Sequence, residues 1–425
     1  MEKKKIIVLG AGFGGLKTAF RVATDIRRLR LLESYEVVLI DRNEHHTFTP
    51  LLYETATTSR EAADLCRLHS LVTHNISALV KNYPIIFIKD TVLELHPQEG
   101  TVILKEHGTL SATYLILALG SETNYFNIPG LKEHSLALKT FIDAIRIRDK
   151  ILDLTAEKGG EINVAVGGAG PTGVELSAEL GSWCCRAEYK MSPKLNVTLI
   201  EAQPTILFGF SPHIIGAVGK RLSSLGVTVK ANTKISKITE HEAEFENGER
   251  MPFDIFIWTG GIKTPDILLN LPVKKDDCGK IQPNESMDCI PETPDLSLGM
   301  KIYGLGDSVC FHDPRTGRAI PSVAPAALAQ ASVVAHNIVE DIKEAEGMGK
   351  ATHRTYRPIE YPYVVPVGGK YAVAKIGPFI LRGFFGWITK GIIELHYLVS
   401  IMPGLRALRV WLSGLRVFIQ NDQLG

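Results

Sequence analysis

The 425-residue chain predicts an α/β fold. It would hold two Rossmann-like dinucleotide-binding domains, the second inserted in the first, and a C-terminal amphipathic membrane-associating region. Three observations predict this. KKIIVLGAGFGGLKTAFRVA runs from a β-branched strand through Gly10-x-Gly12-x-x-Gly15 into a helical pattern. INVAVGGAGPTGVELSAEL repeats the arrangement through Gly168-x-Gly170-x-x-Gly173, 158 residues later. From Gly369 to the end the composition turns apolar and basic, with seven Lys/Arg against two acidic residues.

Composition narrows the classes. Hydrophobic residues make up 45% and charged residues 22%, the balance of a folded protein of two or three domains. A formal net charge of +1 gives no electrostatic case for nucleic acid. No stretch reaches the ~18 uncharged apolar residues of a spanning helix. The first strand begins by Lys5, so no leader is expected and the chain should stay where it is made. Six cysteines show no CxxC and no zinc spacing, so no metal site is expected. They read as thiols of a reducing compartment, with the vicinal Cys184-Cys185 packed rather than redox-active.

The first turn is specific because a strand precedes it and a helix follows. Gly10 permits the tight turn, Gly12 lets backbone approach a pyrophosphate, and Gly15 lets helix and strand pack closely. The helix N-terminus then faces the anion. Strand YEVVLID ends in Asp41, whose carboxylate can accept both hydroxyls of an adenosine ribose. The 31 residues from Gly10 to Asp41 exceed the usual ~20, and TDIRRLRLLES between them reads as a lengthened helix. The second turn repeats this logic. Strand NVTLIE ends in Glu201, 33 residues after Gly168. An acid there favours a free 2′-hydroxyl, and no arginine follows at once, so NADH is preferred over NADPH. The competing reading is a degenerate copy that binds nothing. Two such folds in one chain suit a flavoprotein: one holds FAD, the other docks a nicotinamide, and hydride passes between them.

Four further stretches sharpen this: RNEHHTFTPLLYETATT, YLILALGSETNYFNIPGL, FDIFIWTGGIKTP and KIYGLGDSV. With the two turns, the set resembles the two-dinucleotide-binding-domain flavoprotein superfamily. More narrowly it is similar to type II NADH dehydrogenases, the non-proton-pumping NADH:quinone oxidoreductases. Motifs carry the resemblance from about residue 4 to 340. It implies that Gly10, Gly12, Gly14, Gly15 and Asp41 hold the adenosine and pyrophosphate of a tightly bound FAD. Gly306 and Asp307 would meet its ribityl and phosphate. Thr49, Pro50, Leu51 and Leu52 would lie near the isoalloxazine, and Gly120 would join the cofactor contacts. Gly168, Gly170, Gly173 and Glu201 would take NADH, with Thr259, Gly260 and Gly261 lining the nicotinamide entry. Glu175 would face flavin and nicotinamide together as the catalytic acid; the alternative is a plain first-turn carboxylate. Glu179 reads as a surface or packing residue. His45 and His46 read as a turn histidine and a packed neighbour rather than a proton relay.

One segment departs from the family pattern. Type II dehydrogenases carry an AQxAxQ helix near the quinone. SVAPAALAQASVVAHNI keeps Ala324 but places Pro325 and Ala329 where the glutamines belong, with Gln330 one position late. One residue turns a helix by ~100°, so Gln330 cannot substitute. The acceptor is then a quinone held another way, or something else.

The tail offers a membrane surface. On a helical wheel Arg406, Arg409, Ser413 and Arg416 share one face of GLRALRVWLSGLRVFIQ. Leu408, Trp411, Leu412, Leu415, Phe418 and Ile419 share the other. This is the pattern of an in-plane interfacial helix; packing on the protein or a homodimer interface is the alternative. Arg382, Lys390 and Glu394 interrupt PFILRGFFGWITKGIIELHYLVSIM and argue against spanning. The expected segments are 1–125 and 291–345 for the FAD domain, 126–290 for the NADH domain and 346–425 for the tail. The expected activity is ping-pong oxidation of NADH with two-electron transfer to a membrane quinone, by a peripheral protein on the cytoplasmic side of the membrane. Rival readings are a reductase with a non-quinone acceptor, a sulfide:quinone oxidoreductase and a redox-sensing flavoprotein. Sulfide chemistry needs a late cysteine, and none follows Cys310.

Overall fold

The computed structural model describes residues 2–60, 63–158, 160–184 and 194–424. Cys185 lies outside the described residues, as do the side chains of Cys184 and Ile419. The chain forms two compact units, each assembled from three stretches. The first takes 1–46, 74–122 and 262–361, and the second takes 47–73, 123–261 and 362–425.

The first unit is built on a five-stranded parallel sheet. Its order is Lys301–Gly304, Tyr114–Leu117, Lys4–Leu9, Tyr35–Asp41 and Ile85–Lys89. Ile7 registers with Val38 on one side and Leu115 on the other. Ile6, Ile7, Val8 and Leu9 are all buried, as a parallel strand covered on both faces requires. The helices Phe13–Arg28 and Ala324–Ala345 pack against each other. The helix after the first turn is shorter than its basic sequence suggests. It stops at Arg28, where Arg30 takes a left-handed φ of 60° and the Leu31 N–H reaches back to Ile26 O at 3.0 Å. The remaining residues before Asp41 form a turn and a strand.

The second unit repeats the plan. Its parallel sheet runs Leu136–Ala137, Ile255–Trp258, Glu161–Gly167, Lys194–Ile200 and Thr228–Lys230. A three-stranded antiparallel sheet accompanies it, Ile235–Ile238, Glu242–Phe245 and Arg250–Pro252, just as Val92–His96, Thr101–Leu104 and Gly108–Ser111 accompany the first. The unit ends in a three-stranded sheet, Tyr363–Gly383, and two helices, Phe384–Ile401 and Gly404–Leu424.

The units divide differently from the expected segments. The chain returns to the first unit at Ile262 rather than 291. Residues 273–291 are stitched into that unit by bridges Lys275↔Ile281, Ile281↔Val309 and Asp288↔Tyr303, and by the Cys289 N–H on Ile302 O at 2.9 Å. The connector through Tyr361 also belongs there. Asn337 donates to Arg354 O at 2.9 Å, and Thr352 donates to Glu340 at 2.7 Å. Only from Pro362 does the tail join the second unit.

Candidate functional site

The two glycine turns share one geometry. Gly10 and Gly168 have φ of 101° and 94°, a backbone that L side chains rarely adopt. The Gly10 N–H donates to Ile40 O and the Gly168 N–H to Ile200 O, both at 2.8 Å. A Cβ on Gly15 would lie 1.8 Å from Gly10 O, and one on Gly173 would lie 1.9 Å from Gly168 O. Gly12 and Gly170, by contrast, have nothing within 4 Å of a built Cβ. The outer glycines are therefore fixed by packing and the middle ones by the need for open space, as a pyrophosphate cradle demands. The acidic strand ends repeat as well. Asp41 Oδ2 accepts the Ala11 N–H at 2.7 Å, and Glu201 Oε2 accepts the Ala169 N–H at 2.6 Å. Their other oxygens accept the N–H groups of Asn43 and Gln203. Each carboxylate thus stands at the end of a strand beside its turn, with lone pairs left for a ribose. Both cradles fit a dinucleotide on these grounds.

The first unit adds a second backbone anchor beside its turn. Ser121 donates to Asp307 at 3.0 Å and Ser308 donates to Gly120 O at 3.0 Å. Gly120, Gly306 and Asp307 are therefore brought together. Gly14 packs under Leu305 and Ala327, where its built Cβ would meet Leu305 Cδ1 at 2.2 Å. Gln330 is buried, and its Oε1 accepts the Gly306 N–H at 2.8 Å. The late glutamine thus holds the Gly306 turn. Ala324 and Pro325 are half-buried in the first turn of that helix and offer no side-chain donor. His46 is buried with Nδ1 2.9 Å from Ala11 O. Burial pushes it down to about 4, so the neutral ring donates to the carbonyl and supports the turn. It is the packed neighbour, whereas half-buried His45 opens the short strand His45–Thr47 rather than standing in a turn.

In the second unit, Thr259 Oγ1 donates to Gly167 O and Gly168 O at 3.0 and 2.9 Å, and Gly260 abuts Gly168. Thr259, Gly260 and Gly261 therefore flank the turn. Glu175 lies two residues past Gly173, in the second turn of the helix Pro171–Cys184, half-buried, and is pushed up to about 8. Burial is the main cause; Lys390 opposes it and Glu54 adds to it. At neutral pH it carries a proton. Glu179, one turn on, is buried and accepts the Gly369 N–H at 3.1 Å, a packing role.

A cavity of about 250 Å³ opens in the same unit, between the Thr49–Leu52 segment and the two terminal helices. Phe48, Leu51, Trp387, Trp411, Leu415 and Phe418 give it apolar walls. Pro50 is exposed, and buried Leu51 alone of the expected pair lines the cavity. Its charged lining is one cluster of three side chains: Lys390 Nζ lies 2.8 Å from Glu54 and 3.1 Å from Glu394. Burial draws the ammonium down, but Glu394 and Glu54 outweigh it and the net shift is upward. Lys390 is held as a cation. Glu54 Oε2 has no partner there. From the sequence Lys390 and Glu394 argue only against spanning, and Glu54 carries no role; the spacing of Lys390 and Glu394, four apart within an apolar stretch, was the available signal.

The tail helix turns partly inward. Trp411 Nε1 donates to Gly391 O at 2.8 Å, so Trp411 faces the cavity. Leu412 stays exposed with Arg406, Arg409 and Arg416. Exposed Leu405, Leu408, Phe379, Phe384, Phe385 and Ile392 give this end of the unit an apolar surface. Among the described residues no helix is long and apolar enough to cross a membrane, and no group of His, Cys, Asp or Glu could hold a metal ion.

Two dinucleotide cradles in one chain, each closed by an acidic strand end, define a nicotinamide-dependent flavoprotein reductase. The chain belongs to the pyridine nucleotide-disulphide oxidoreductase family, whose model matches residues 4–331. It is 28% identical over 347 residues to the demethylphylloquinone reductase NdbB of Synechocystis, covering 79% of each protein. It is 26% identical to the type II NADH:quinone oxidoreductase Ndh of Mycobacterium tuberculosis, covering 96% of this chain and 88% of that one. A structure of NDH2 from Plasmodium falciparum in complex with NADH matches with a TM-score of 0.79 at 19% identity, over 100% of this chain and 98% of that one. The sulfide:quinone oxidoreductase of Aquifex aeolicus matches with a TM-score of 0.74 at 18% identity, over 94% and 92%.

Proposed function

We propose that this chain is an NADH:quinone oxidoreductase that holds FAD on the first turn and binds NADH on the second. The twin turns carry this reading: each leaves its middle glycine open, and each ends its next strand in a carboxylate. Bound FAD supplies the two-electron relay that lets NAD⁺ leave before the acceptor is reduced. The chain's own residues do the rest. Backbone N–H groups of Gly170 and Thr172 at the helix start face the pyrophosphate. Glu201 takes the ribose hydroxyls and repels a 2′-phosphate. Glu175 holds a proton at neutral pH beside the nicotinamide half of the site.

The acceptor is a quinone whose ring enters the cavity beside Lys390. The ammonium is the cation among the described lining residues, set in apolar walls, and a quinone carbonyl is the acceptor it suits. Pro325 and Ala329 stand where the AQxAxQ pattern has glutamines, so a lysine in a different element takes over recognition. The exposed apolar end of the unit, with Arg406, Arg409 and Arg416 beside Leu412, rests in the interface of an anionic bilayer. The protein is then peripheral, on the cytoplasmic side where NADH is supplied. Sulfide chemistry lacks its late cysteine.

Anaerobic spectroscopy tests this. NADH added to the detergent-purified holoprotein is expected to bleach the flavin band, and a menaquinone or ubiquinone analogue to restore it quickly. Bleaching without recovery would remove the quinone from the reading. A long-lived charge-transfer band with slow turnover would favour a sensor. No bleaching would remove NADH.

A further inference from the structure

Phe126 lies in the loop that enters the second unit, and its environment is unusual. Its neighbours Tyr125 and Ile128 pack against the core cluster around Phe245, Phe256 and Trp258. Phe126 instead is 56% exposed. Its backbone is left-handed at φ 50°, and Asn127 follows at 55°. Two consecutive non-glycine residues in that region cost free energy, and such strain persists only where surrounding contacts impose it. Here they do. The Phe126 N–H donates to Asn124 Oδ1 at 2.8 Å, the Asn124 N–H donates to Gly261 O at 3.1 Å, and Trp258 Nε1 donates to Asn124 O at 2.8 Å. The result is a large apolar ring turned away from the core and laid over Gly261. A Cβ on Gly261 would lie 2.7 Å from the ring. The ring also meets Trp258 edge-on, at 6.3 Å.

The sheet order says what should lie there. Glu201 follows the strand Lys194–Ile200 on one side of the turn strand Glu161–Gly167, and Trp258 ends the strand on the other. The strand order reverses at this point, the place where open parallel sheets bind dinucleotides. With the adenosine at Glu201 and the pyrophosphate at Gly168–Gly173, the second nucleotide must cross toward Thr259, Gly260 and Gly261. Phe126 stands over the last of these.

We infer that Phe126, seated on Gly261, is the stacking platform whose exposed ring face takes the nicotinamide ring of NADH. This deepens the proposed function and rests on its placement of NADH on the second turn. The strained loop is the device that keeps an aromatic ring out of the core for that purpose. An aromatic platform of this kind is worth roughly tenfold or more in affinity.

ADP-ribose separates the cases, because it keeps the adenosine, pyrophosphate and second ribose but lacks the ring. Binding of NADH and of ADP-ribose would be measured on the FAD-loaded parent, Phe126→Leu and Phe126→Tyr. Flavin content and melting temperature would verify folding. Phe126→Leu is expected to weaken NADH about tenfold while leaving ADP-ribose within about twofold, and Phe126→Tyr to restore NADH. The apparent KM for NADH should rise with kcat and quinone KM little changed. Equal weakening of both ligands would make the loop merely structural and overturn the inference. So would unchanged NADH binding. If the parent binds neither ligand, the placement of NADH itself fails, and that failure is visible before any variant is made.

Discussion

The two glycine turns are close to identical as backbone and opposite in charge. Each has its first glycine left-handed, its last glycine pressed on the first, and a carboxylate on the intervening alanine N–H. Two residues past the last glycine, however, the first copy carries Lys17 and the second Glu175. Both are half-buried, and both are displaced from their charged forms by burial: the lysine moves down, the glutamate up to about 8. Arg21 adds to the first shift, whereas Lys390 opposes the second. The difference teaches that the cradle is a reusable backbone device and that chemistry enters through the helix behind it. A cofactor that stays needs only the cradle. A substrate that reacts needs a group with a movable proton beside it.

The strongest way to break the comparison is to close each turn in isolation. Gly15→Val and Gly173→Val would each drive a side chain into a backbone carbonyl within 2 Å. The expected outcomes differ completely. Gly15→Val should purify without flavin. Gly173→Val should keep its flavin and be reduced by dithionite but show no bleaching with NADH. Flavin content and anaerobic spectra read both. If Gly173→Val is bleached normally, the second copy is the degenerate fold the sequence left open.

What the sequence made legible follows from the same physics. The glycines and strand-end acids could be placed because backbone geometry dictates them locally. The return of the chain at Ile262 could not, since it rests on bridges such as Ile281↔Val309 that have no periodic signature. The wheel of the last helix separated Leu412 from the arginines, but it could not tell that Trp411 turns inward to Gly391 O. The Lys390–Glu54 pair joins side chains 336 residues apart. Only tertiary structure could put that cation in the cavity. Gln330 was visible as out of register, while its bond to Gly306 was not.

Glu175 sharpens the comparison next. Glu175→Gln should retain FAD and bind NADH, yet lower steady-state turnover by about a hundredfold or more, the range of a lost proton-transfer group. The parent's turnover should fall as pH rises through about 8 and the variant's should not follow it. Stability gives an independent sign. The folded carboxyl titrates above its unfolded value, so the folded chain holds the extra proton between the ordinary carboxylate range and about 8. Its contribution is present at lower pH and is lost as pH rises through that window. Denaturant midpoints for Glu175→Gln should therefore gain on the parent with rising pH and level off above about 8. Lys17→Gln should show neither the turnover loss nor the high-pH gain. Equal pH profiles for Glu175→Gln and parent would return Glu175 to a plain helix acid.

The smallest effect tests the strand-end acids, where the two copies look most alike. Glu201 accepts the Ala169 and Gln203 N–H groups and presents its carboxylate at the proposed ribose position. A 2′-phosphate placed there meets a repulsion of about 1 kcal/mol in water and more where solvent is thinned. Glu201→Gln removes the charge while an amide oxygen can still take the Ala169 N–H. NADH binding should weaken only slightly, and the preference for NADH over NADPH should narrow by about tenfold. Asp41→Asn should leave that preference where it is, because the proposal gives its turn to the resident flavin; flavin retention is what it should lower. Paired measurements of kcat/KM for NADH and NADPH, with flavin content on the same samples, distinguish the two. If Asp41→Asn narrowed the nucleotide preference as much as Glu201→Gln does, the assignment of one copy to a resident cofactor and the other to a passing substrate would be lost.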